Sequence, residues 1–289
     1  MSAWKLGVIG GSGLYDLERL EDPAWRLVES PWGAPSDALL TGRLAGVDIV
    51  FLPRHGRAHR LAPHEVNARA NIDVLKRLGC TDVIAVSAVG SLREHLAPGA
   101  LALARQYVDR TRQRPSSFFG DGVVAHVSLA DPACPRLSRF IVDAGTRLGI
   151  GVVDGATYLA IEGPQFSTRA ESRLYRDWGC DIIGMTSMPE ARLAREAELP
   201  YANLCMVTDY DCWRSENEAV DVPEVLRIMR ANAERAKALL VEVAAGLRSE
   251  RPASPIDTCL DVAIVSDPSA WTPEAKVKLA AIASRRLGL

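Results

Sequence analysis

The stretch that constrains the fold most is residues 181–213, because polar side chains stand there at the ends of two apolar runs. The runs cover residues 181–185 and 201–207, and residues 189–197 between them have apolar side chains at helical spacing. This pattern predicts a strand, a helix and a second strand. Ligands of open α/β sheets bind at the carboxyl ends of the strands. The sequence therefore predicts a binding site beside these two strand ends.

The second of these strand ends carries two carboxylates, Asp209 and Asp211, with Tyr210 between them. Aspartate is common in turns, where it caps the chain without any chemical role. Acidic residues beside aromatic ones also suggest a shaped and partly dry pocket, in which burial would raise the pKa of a carboxyl group far enough for it to act as an acid. The residues alone leave both interpretations open.

Composition narrows the class of protein. The chain has 289 residues, of which 48% are hydrophobic, so it can bury the core of one large α/β domain or of two smaller ones. A net charge of -2 argues against nucleic acid and against an anionic membrane as partners. The six cysteines are widely spaced, without a C-x-x-C pair, which favours free thiols over a metal site. No signal peptide and no membrane-spanning segment is evident, so we expect a cytoplasmic protein.

A glycine loop follows the first predicted strand, which begins at Lys5. Its free backbone N–H groups and the Ser12 hydroxyl could hold an oxyanion. A dinucleotide-binding G-x-G-x-x-G pattern that starts at Gly11 fails, because Asp16 stands where the third glycine belongs. We interpret the loop as a small-anion site, with a plain tight turn as the alternative.

Two more predicted strands end in groups that suit an anion. The apolar run at residues 47–52 leads into a basic loop that begins with Arg54 and His55, and another strand ends before Ser87, where we expect a turn of small residues. Arginine forms bidentate contacts with phosphate, although a solvated basic loop is the usual origin of such a charge run. Because these groups and Ser12 each follow a strand, we expect them to converge on a phosphate site.

Two aromatic side chains each have two interpretations, as structural residues of the core or as residues of a binding site. His126 lies between valine and alanine, where a histidine is more often a hydrogen-bonded structural residue than a catalytic one. Phe166 follows a predicted turn and could cover a planar ring, with packing in the core as its alternative.

Helical periodicity covers several further segments. It predicts helices at residues 65–78, 135–148 and 222–247 and, after a polar linker at residues 249–255, a short tail with a helix from about Pro273.

Six short motifs occur together and in a fixed order. They are GGSGL from Gly10, RHGR from Arg54, AVGSLR from Ala88, IEGPQFSTRAE from Ile161, MTSMPE from Met185 and TDYDCW from Thr208. In these motifs the chain resembles the 5′-methylthioadenosine phosphorylases of the trimeric purine nucleoside phosphorylase family. The resemblance covers residues 5–247, and six ordered motifs make it specific.

The resemblance implies a purine nucleoside phosphorylase-like α/β fold, with a mixed twisted central sheet flanked by helices. It implies a nucleoside phosphorylase domain at residues 1–248 and, at residues 249–289, a linker and tail that pack on this domain or on a neighbouring subunit. The implied assembly is a homotrimer, or a hexamer of paired trimers. The implied reaction is phosphorolysis of 5′-methylthioadenosine to adenine and 5-methylthioribose 1-phosphate, with inorganic phosphate as co-substrate and no metal or organic cofactor.

Position by position, the resemblance assigns two catalytic residues, Asp209 as the acid beside purine N7 and His55. The implied phosphate ligands are Ser12, Arg54, His55, Ser87, Ala88 and Thr186. The implied nucleoside contacts are Phe166 stacked on the base, Met185 on the ribose, Ser167, Asp209, Tyr210 and Asp211 near the base, and His126, Val222 and Val225 in an apolar cleft for the 5′-methylthio group. The tail of a neighbouring subunit would close that cleft.

The chemistry agrees with these roles. Breaking an N-glycosidic bond produces a cation-like ribose and a purine that needs a proton, so the site must supply an anion below the sugar and an acid beside N7. Two departures from the family pattern are present. Gly184 stands where animal enzymes carry asparagine, and the tail has the single Cys259 in place of the C-x-C of some archaeal relatives, so we expect no disulfide there.

Other functions remain alternatives at this point. A 6-oxopurine nucleoside phosphorylase or a methylthioinosine phosphorylase would share the fold, but these relatives carry asparagine at the position of Asp209. A nucleoside-binding or phosphate-binding sensor without catalysis would use the same scaffold. A dinucleotide-dependent oxidoreductase is disfavoured by the missing third glycine.

Overall fold

The computed structural model describes residues 3–11, 13–14, 19–214, 222–247 and 250–288, with the backbone alone for residues 222–225. Within these ranges the strands are β1 (Lys5–Gly10), β2 (Glu21–Arg26), β3 (Leu39–Leu44), β4 (Val47–Pro53), β5 (Asp82–Ser91), β6 (Leu101–Asp109), β7 (Val152–Ala160), β8 (Ile182–Gly184) and β9 (Tyr201–Asp209). The helices are α1 (Ala68–Arg77), α2 (Pro135–Leu148), α3 (Arg169–Asp177), α4 (Ser187–Glu196), α5 (Val222–Gly246), α6 (Pro273–Leu279) and α7 (Ser284–Leu287). In this described part of the chain, no helix is long and apolar enough to cross a membrane.

The strands form one mixed sheet in the order β2-β3-β4-β1-β5-β8-β7-β6-β9. Because β9 also pairs with β5, the strands from β5 to β9 close into a ring. β1 is parallel to β4 and to β5, and β5 is parallel to β9. The carboxyl ends of these four strands therefore lie at one edge of the sheet. The predicted mixed sheet flanked by helices is confirmed.

Alternation along the central strands divides the core between the two faces of the sheet. Val50 and Leu52 of β4 pack on one face with α1, α4 and part of the tail, whereas Ile49 and Phe51 pack on the other face with α2 and α5. A shift of one residue would move each set to the wrong face. Burial on both faces therefore fixes the register, and with it the position at which each strand ends.

β5 differs from its prediction. It runs through Ser91 instead of ending before Ser87, because it pairs with β9 as far as Gly90 and with β8 at Gly90 and Ser91. The predicted turn at Ser87 is wrong. Pairing with two strands from distant parts of the sequence extends β5. The residues around Ser87 carry no local pattern that would indicate this pairing.

β8, α4 and β9 follow one another as predicted, but they do not form a parallel unit. β8 has three residues and is antiparallel to β5, whereas β9 is parallel to it. β8 still reaches the site, because it pairs with the last residues of β5. The binding edge thus includes one strand of the opposite direction.

The tail contacts the rest of its own chain. Leu260, Trp271 and Leu279 are buried in the core cluster that contains α1 and α4. The guanidinium of Arg251 forms an ion pair with the fully buried carboxylate of Asp82. Three helix boundaries agree with the sequence prediction: α2 begins at Pro135 and ends at Leu148, and α6 begins at Pro273.

Candidate active site

A cavity of about 450 Å³ opens at the carboxyl edge of β1, β4, β5 and β9. Gly11 and Gly13 line it on either side of position 12. The predicted site residues that line it are Arg54, His55, Ser87, Ala88, Phe166, Met185, Thr186, Asp209 and Asp211. Residues more than 150 positions apart therefore share one space, whose volume suits a ligand of nucleoside size.

Arg54 is 2% exposed and is already paired. Its Nε and Nη2 donate to the two carboxylate oxygens of Glu190 at 3.0 and 3.1 Å, and its Nη1 donates to the Val86 carbonyl at 2.9 Å. Burial by itself would lower the pKa of Arg54, but the carboxylate of Glu190 outweighs burial and raises this pKa. The charge of Arg54 is thus compensated within the protein, and the pair joins β4 to α4 behind the cavity.

His55 is 8% exposed, and its Nδ1 lies 2.9 Å from the Leu61 carbonyl oxygen. A carbonyl oxygen can only accept, so Nδ1 carries the hydrogen and Nε2 is left for a ligand. Burial above all, followed by the charge of Arg54, lowers the pKa of His55 to about 4. The ring is neutral at pH 7, where Nε2 accepts a hydrogen bond such as that from the O–H of monohydrogen phosphate.

Ser87 on β5 and Thr186 before α4 form a chain of hydroxyl groups along the cavity wall. Thr186 Oγ1 donates to Ser87 Oγ at 3.0 Å, and Ser87 Oγ donates to Oδ1 of Asn203 at 3.2 Å. Asn203 lies on β9 and is fully buried. The two hydroxyls are therefore held in place before any ligand binds.

The structure explains Gly184. A Cβ atom at this position would lie 2.1 Å from the hydroxyl oxygen of Tyr158, which is fully buried on β7. The same hydroxyl accepts a hydrogen bond from the Thr186 backbone N–H at 3.3 Å. Tyr158 therefore occupies the space that an asparagine side chain at position 184 would need, and it holds Thr186 from the neighbouring strand.

Asp209 and Asp211 are in contact at the end of β9. The φ of 54° at Asp211 directs its backbone N–H to Asp209 Oδ1, at 2.7 Å, and Thr208 Oγ1 donates to Asp209 Oδ2 at 2.7 Å. Burial raises the pKa of Asp211, and the charge of Asp209 raises it further. Hydrogen bonds from Ser172 and from the Cys212 N–H lower this pKa, but the raising effects are larger. The surroundings of Asp211 therefore favour the protonated form of its carboxyl.

Phe166 lines the cavity and remains 69% exposed, so core packing, its alternative interpretation, does not apply. Arg114 joins the loop that carries Phe166 to the loop that carries Met185. Nη1 of Arg114 donates to the carbonyl of Met185 at 2.6 Å, and Nε donates to Glu162 Oε1 at 2.8 Å. No pattern in the sequence singled out Arg114 or Asn203. Glu190 ends the MTSMPE motif, and this was its only signal.

Three other predicted residues do not line the cavity. Tyr210 points away and donates to the Glu94 carbonyl at 3.3 Å. His126 is exposed, and its backbone N–H donates to the Ala263 carbonyl of the tail at 2.8 Å. The hydroxyl of Ser167, next to Phe166, is buried and has no hydrogen-bond partner in the described ranges.

Three more predicted side chains lie outside the described part of the chain. Ser12 lies outside the described residues, and so do the side chains of Val222 and Val225. Farther along α5, Met229 and Ala233 line the cavity together with Met206 of β9. These three side chains supply apolar wall among the described residues.

Comparison with known proteins gives consistent matches. The model of the phosphorylase superfamily matches residues 5–245. The S-methyl-5′-thioadenosine phosphorylase of Cereibacter sphaeroides is 52% identical over 284 residues, and that of Bradyrhizobium diazoefficiens is 51% identical, each with 98% of both chains covered.

Solved structures agree with these sequence matches. A methylthioadenosine phosphorylase from an antarctic soil metagenomic library has a TM-score of 0.93 at 46% identity, with 98% of this chain and 99% of that chain covered. The methylthioadenosine phosphorylase of Schistosoma mansoni in complex with adenine has a TM-score of 0.82 at 36% identity, with 99% and 100% covered.

Proposed function

Because the chain belongs to the phosphorylase superfamily, we propose that it catalyses phosphorolysis of S-methyl-5′-thioadenosine to adenine and 5-methylthioribose 1-phosphate, a step of purine and methionine salvage. The proposal rests on the residues that line one cavity. Hydroxyl donors and a neutral histidine lie on one side, and a pair of aspartates with an exposed phenylalanine lies on the other. Inorganic phosphate is the co-substrate, and the reaction needs no metal or organic cofactor.

Phosphate binds at the carboxyl ends of β1 and β4, beside Ser87 in the middle of β5. Donors there are the hydroxyls of Ser87 and Thr186 and the N–H groups of the glycine loop, while Nε2 of His55 accepts the hydrogen of monohydrogen phosphate. The bound anion lies below the ribose, where its charge stabilises the developing cation and one of its oxygens attacks the anomeric carbon. Positioning and electrostatics therefore supply most of the rate.

The purine leaves with a proton from the aspartate pair. Asp209 takes up a proton as the nucleoside binds and delivers it to purine N7. Asp211 positions Asp209, because its backbone N–H donates to Asp209 Oδ1, and burial raises the pKa of its own carboxyl, which limits the negative charge beside Asp209. The second oxygen of Asp209 accepts from the 6-amino group, which selects adenine over 6-oxopurines.

The assembly is a homotrimer, in which a neighbouring subunit completes the 5′ cleft. Support comes from an apolar surface beside His126. Val124, Val262 and Val265 are 43%, 90% and 62% exposed, and the Val265 N–H donates to the Val124 carbonyl at 2.9 Å. Sedimentation equilibrium should give three times the chain mass, and Val262→Asp should lower both this mass and the turnover. An unchanged mass in the variant would argue against this interface.

The cytoplasm is the proposed compartment, and the partners are small molecules without nucleic acid or membrane. All six cysteines are free thiols, four of them buried, which suits a reducing environment.

A substrate comparison tests the function. Purified protein is assayed with methylthioadenosine, adenosine, methylthioinosine and inosine, each with and without phosphate. We expect phosphate-dependent release of adenine, with methylthioadenosine preferred over adenosine by about tenfold or more, because an apolar cleft leaves a 5′-hydroxyl without a partner at a cost of about 1–3 kcal/mol. Preference for inosine would establish the 6-oxopurine alternative, and binding without turnover would establish a sensor.

A further inference from the structure

The hydroxyl chain on the phosphate side ends in a buried amide. Thr186 donates to Ser87, Ser87 donates to Oδ1 of Asn203, and Nδ2 of Asn203 donates to Ser187 Oγ at 2.5 Å. Asn203 and Ser187 are both fully buried, so water does not substitute for either partner. All hydrogen bonds in this series are therefore donated in one direction, from the cavity wall into the protein.

This direction conflicts with anion binding. A hydroxyl group has one hydrogen, and in the arrangement observed the hydrogens of Thr186 and Ser87 are both used within the chain. A phosphate oxygen needs these hydrogens as donors. The chain must release them when phosphate enters.

An amide side chain is the group that permits this release. A half-turn of the Asn203 amide exchanges its oxygen and nitrogen, so that Nδ2 donates to Ser87 Oγ and Oδ1 accepts from the Ser187 hydroxyl. Ser87 then keeps a buried partner while its own hydrogen points into the cavity. The oxygen and nitrogen of Asn203 and the hydroxyls of Ser87 and Ser187 each keep one partner in both arrangements, which limits the cost of unpaired groups.

On the basis of the proposed phosphorolysis, we infer that Asn203 is a positioning residue for phosphate: its buried amide reverses its hydrogen bond with Ser87 and so releases the Ser87 hydrogen to the anion, while the Thr186 hydroxyl on the cavity wall turns to the anion by itself. An aspartate of nearly the same shape can accept but, when ionised, cannot donate. It would hold the Ser87 hydrogen inward and add negative charge behind the anion.

The ionisable groups around this amide are the phenols of Tyr107 and Tyr158, the thiol of Cys205 and the ion pair of Arg54 with Glu190. Burial raises the pKa of both phenols and of the thiol, so these three stay neutral up to pH 9. Between pH 6 and pH 9 the groups that change charge are therefore the phosphate and the introduced carboxyl. Wild type measured at both pH values gives the contribution of the phosphate, and the additional change in Asn203→Asp reports the carboxyl.

The test measures binding of inorganic phosphate by isothermal titration calorimetry at pH 6 and pH 9, without nucleoside. For Asn203→Asp we expect the phosphate Kd to rise at least tenfold over wild type at pH 9 and by a smaller factor at pH 6. In turnover assays its phosphate KM should rise while its nucleoside KM stays within about twofold. Asn71→Asp is the matched control, because Asn71 is also fully buried and exchanges two hydrogen bonds with one serine, Ser36, and neither residue lines the cavity.

A phosphate Kd of Asn203→Asp within twofold of wild type at both pH values would overturn the inference, and so would an equal rise in Asn71→Asp. Should Asn203→Asp not fold, Asn203→Ser replaces it. The shorter side chain cannot reach Ser87 and Ser187 together, so the phosphate Kd should rise about threefold to tenfold, and an unchanged Kd would again overturn the inference. Failure of the proposed function is distinct, since it would be seen in wild type as turnover that does not depend on phosphate, or as no turnover.

Discussion

The two sides of the cavity are built differently. The proposed phosphate edge is formed by Arg54, which directly follows β4, by Ser87 within β5 and by Thr186, which caps α4; Arg54 and Ser87 are 2% and 3% exposed. The base edge, formed by Phe166 and Asp209, belongs to a loop and to the last residue of a strand, and Phe166 is 69% exposed. One edge is part of the core, and the other is not.

The difference follows from what each edge has to bind. An anion loses strong hydration on entering the site, so its partners must be fixed in place before it arrives. A purine ring binds by stacking and burial of apolar surface, which a loop can complete after the ligand enters. Substitutions at the phosphate edge should therefore lower both stability and binding, whereas those at the base edge should lower binding alone.

Arg54→Ala should give the largest effect. It leaves the buried carboxylate of Glu190 unpaired, which should lower the free energy of unfolding by about 3–5 kcal/mol, and the remaining negative charge should raise the phosphate KM far more than the nucleoside KM. Urea denaturation and steady-state kinetics measure the two effects. Adding Glu190→Gln should restore part of the lost free energy of unfolding and bring the phosphate KM part of the way back to that of wild type.

The control for this prediction is Asp48→Asn. Asp48 pairs with Arg43 at 3.7 Å, and both side chains are more than half exposed, so stability should change by less than about 1 kcal/mol. Equal changes of the two KM values in Arg54→Ala would show that the ion pair does not belong to the phosphate edge.

Asp209→Asn should change the choice of base by about tenfold to a hundredfold. An asparagine amide donates to a 6-oxo group and meets another donor at a 6-amino group, a mismatch of about 1–3 kcal/mol. Turnover of methylthioadenosine should fall sharply, while the ratio of methylthioinosine to methylthioadenosine turnover should rise. An unchanged ratio would mean that another residue reads the purine 6-position.

Phe166→Ala should separate binding from stability at the base edge. Loss of stacking should raise the nucleoside KM by roughly fivefold to thirtyfold, about 1–2 kcal/mol, with the phosphate KM nearly unchanged. Unfolding free energy should change by less than about 0.5 kcal/mol, because the ring is exposed. Phe118→Ala is the contrast, since Phe118 is 3% exposed and its truncation should cost about 3–5 kcal/mol of stability.

Asp211→Asn should change the free energy of unfolding by about 1 kcal/mol or less. Because burial raises the pKa of Asp211 above 3.8 in the folded protein, its contribution to stability is present at low pH and is lost as the pH rises through the folded pKa. The stability of the variant relative to wild type should therefore increase from pH 4 to pH 8. Denaturation at several pH values measures this slope.

Asp257→Asn, far from the cavity, should show the opposite slope. Burial would raise the pKa of Asp257, but hydrogen bonds from Arg251 outweigh burial and lower this pKa below 3.8. Its stabilisation is present above that pH and is lost as the pH falls through the folded pKa. Slopes of the same sign in the two variants would contradict the raised pKa of Asp211.

The sequence alone determined the features that depend on neighbouring residues. Apolar periodicity gave α2 its bounds and placed the start of α6 at Pro273, because a helix buries a stripe that recurs every three to four residues. Strand-like runs that lead into Arg54 and Asp209 predicted the binding edge. The ordered motifs indicated the family, since they reflect local loop shapes that a ligand requires.

Only the tertiary structure decided which distant groups meet. The pairs Arg54 with Glu190, Tyr158 with Gly184 and Ser87 with Asn203 join residues between 26 and 136 positions apart. Their contacts depend on strand order, on the closure of β5 with β9 and on the reversed direction of β8. None of these leaves a periodic signal in the chain, because strand pairing is fixed by burial of whole faces across the sheet and not by the residues on either side of a given position.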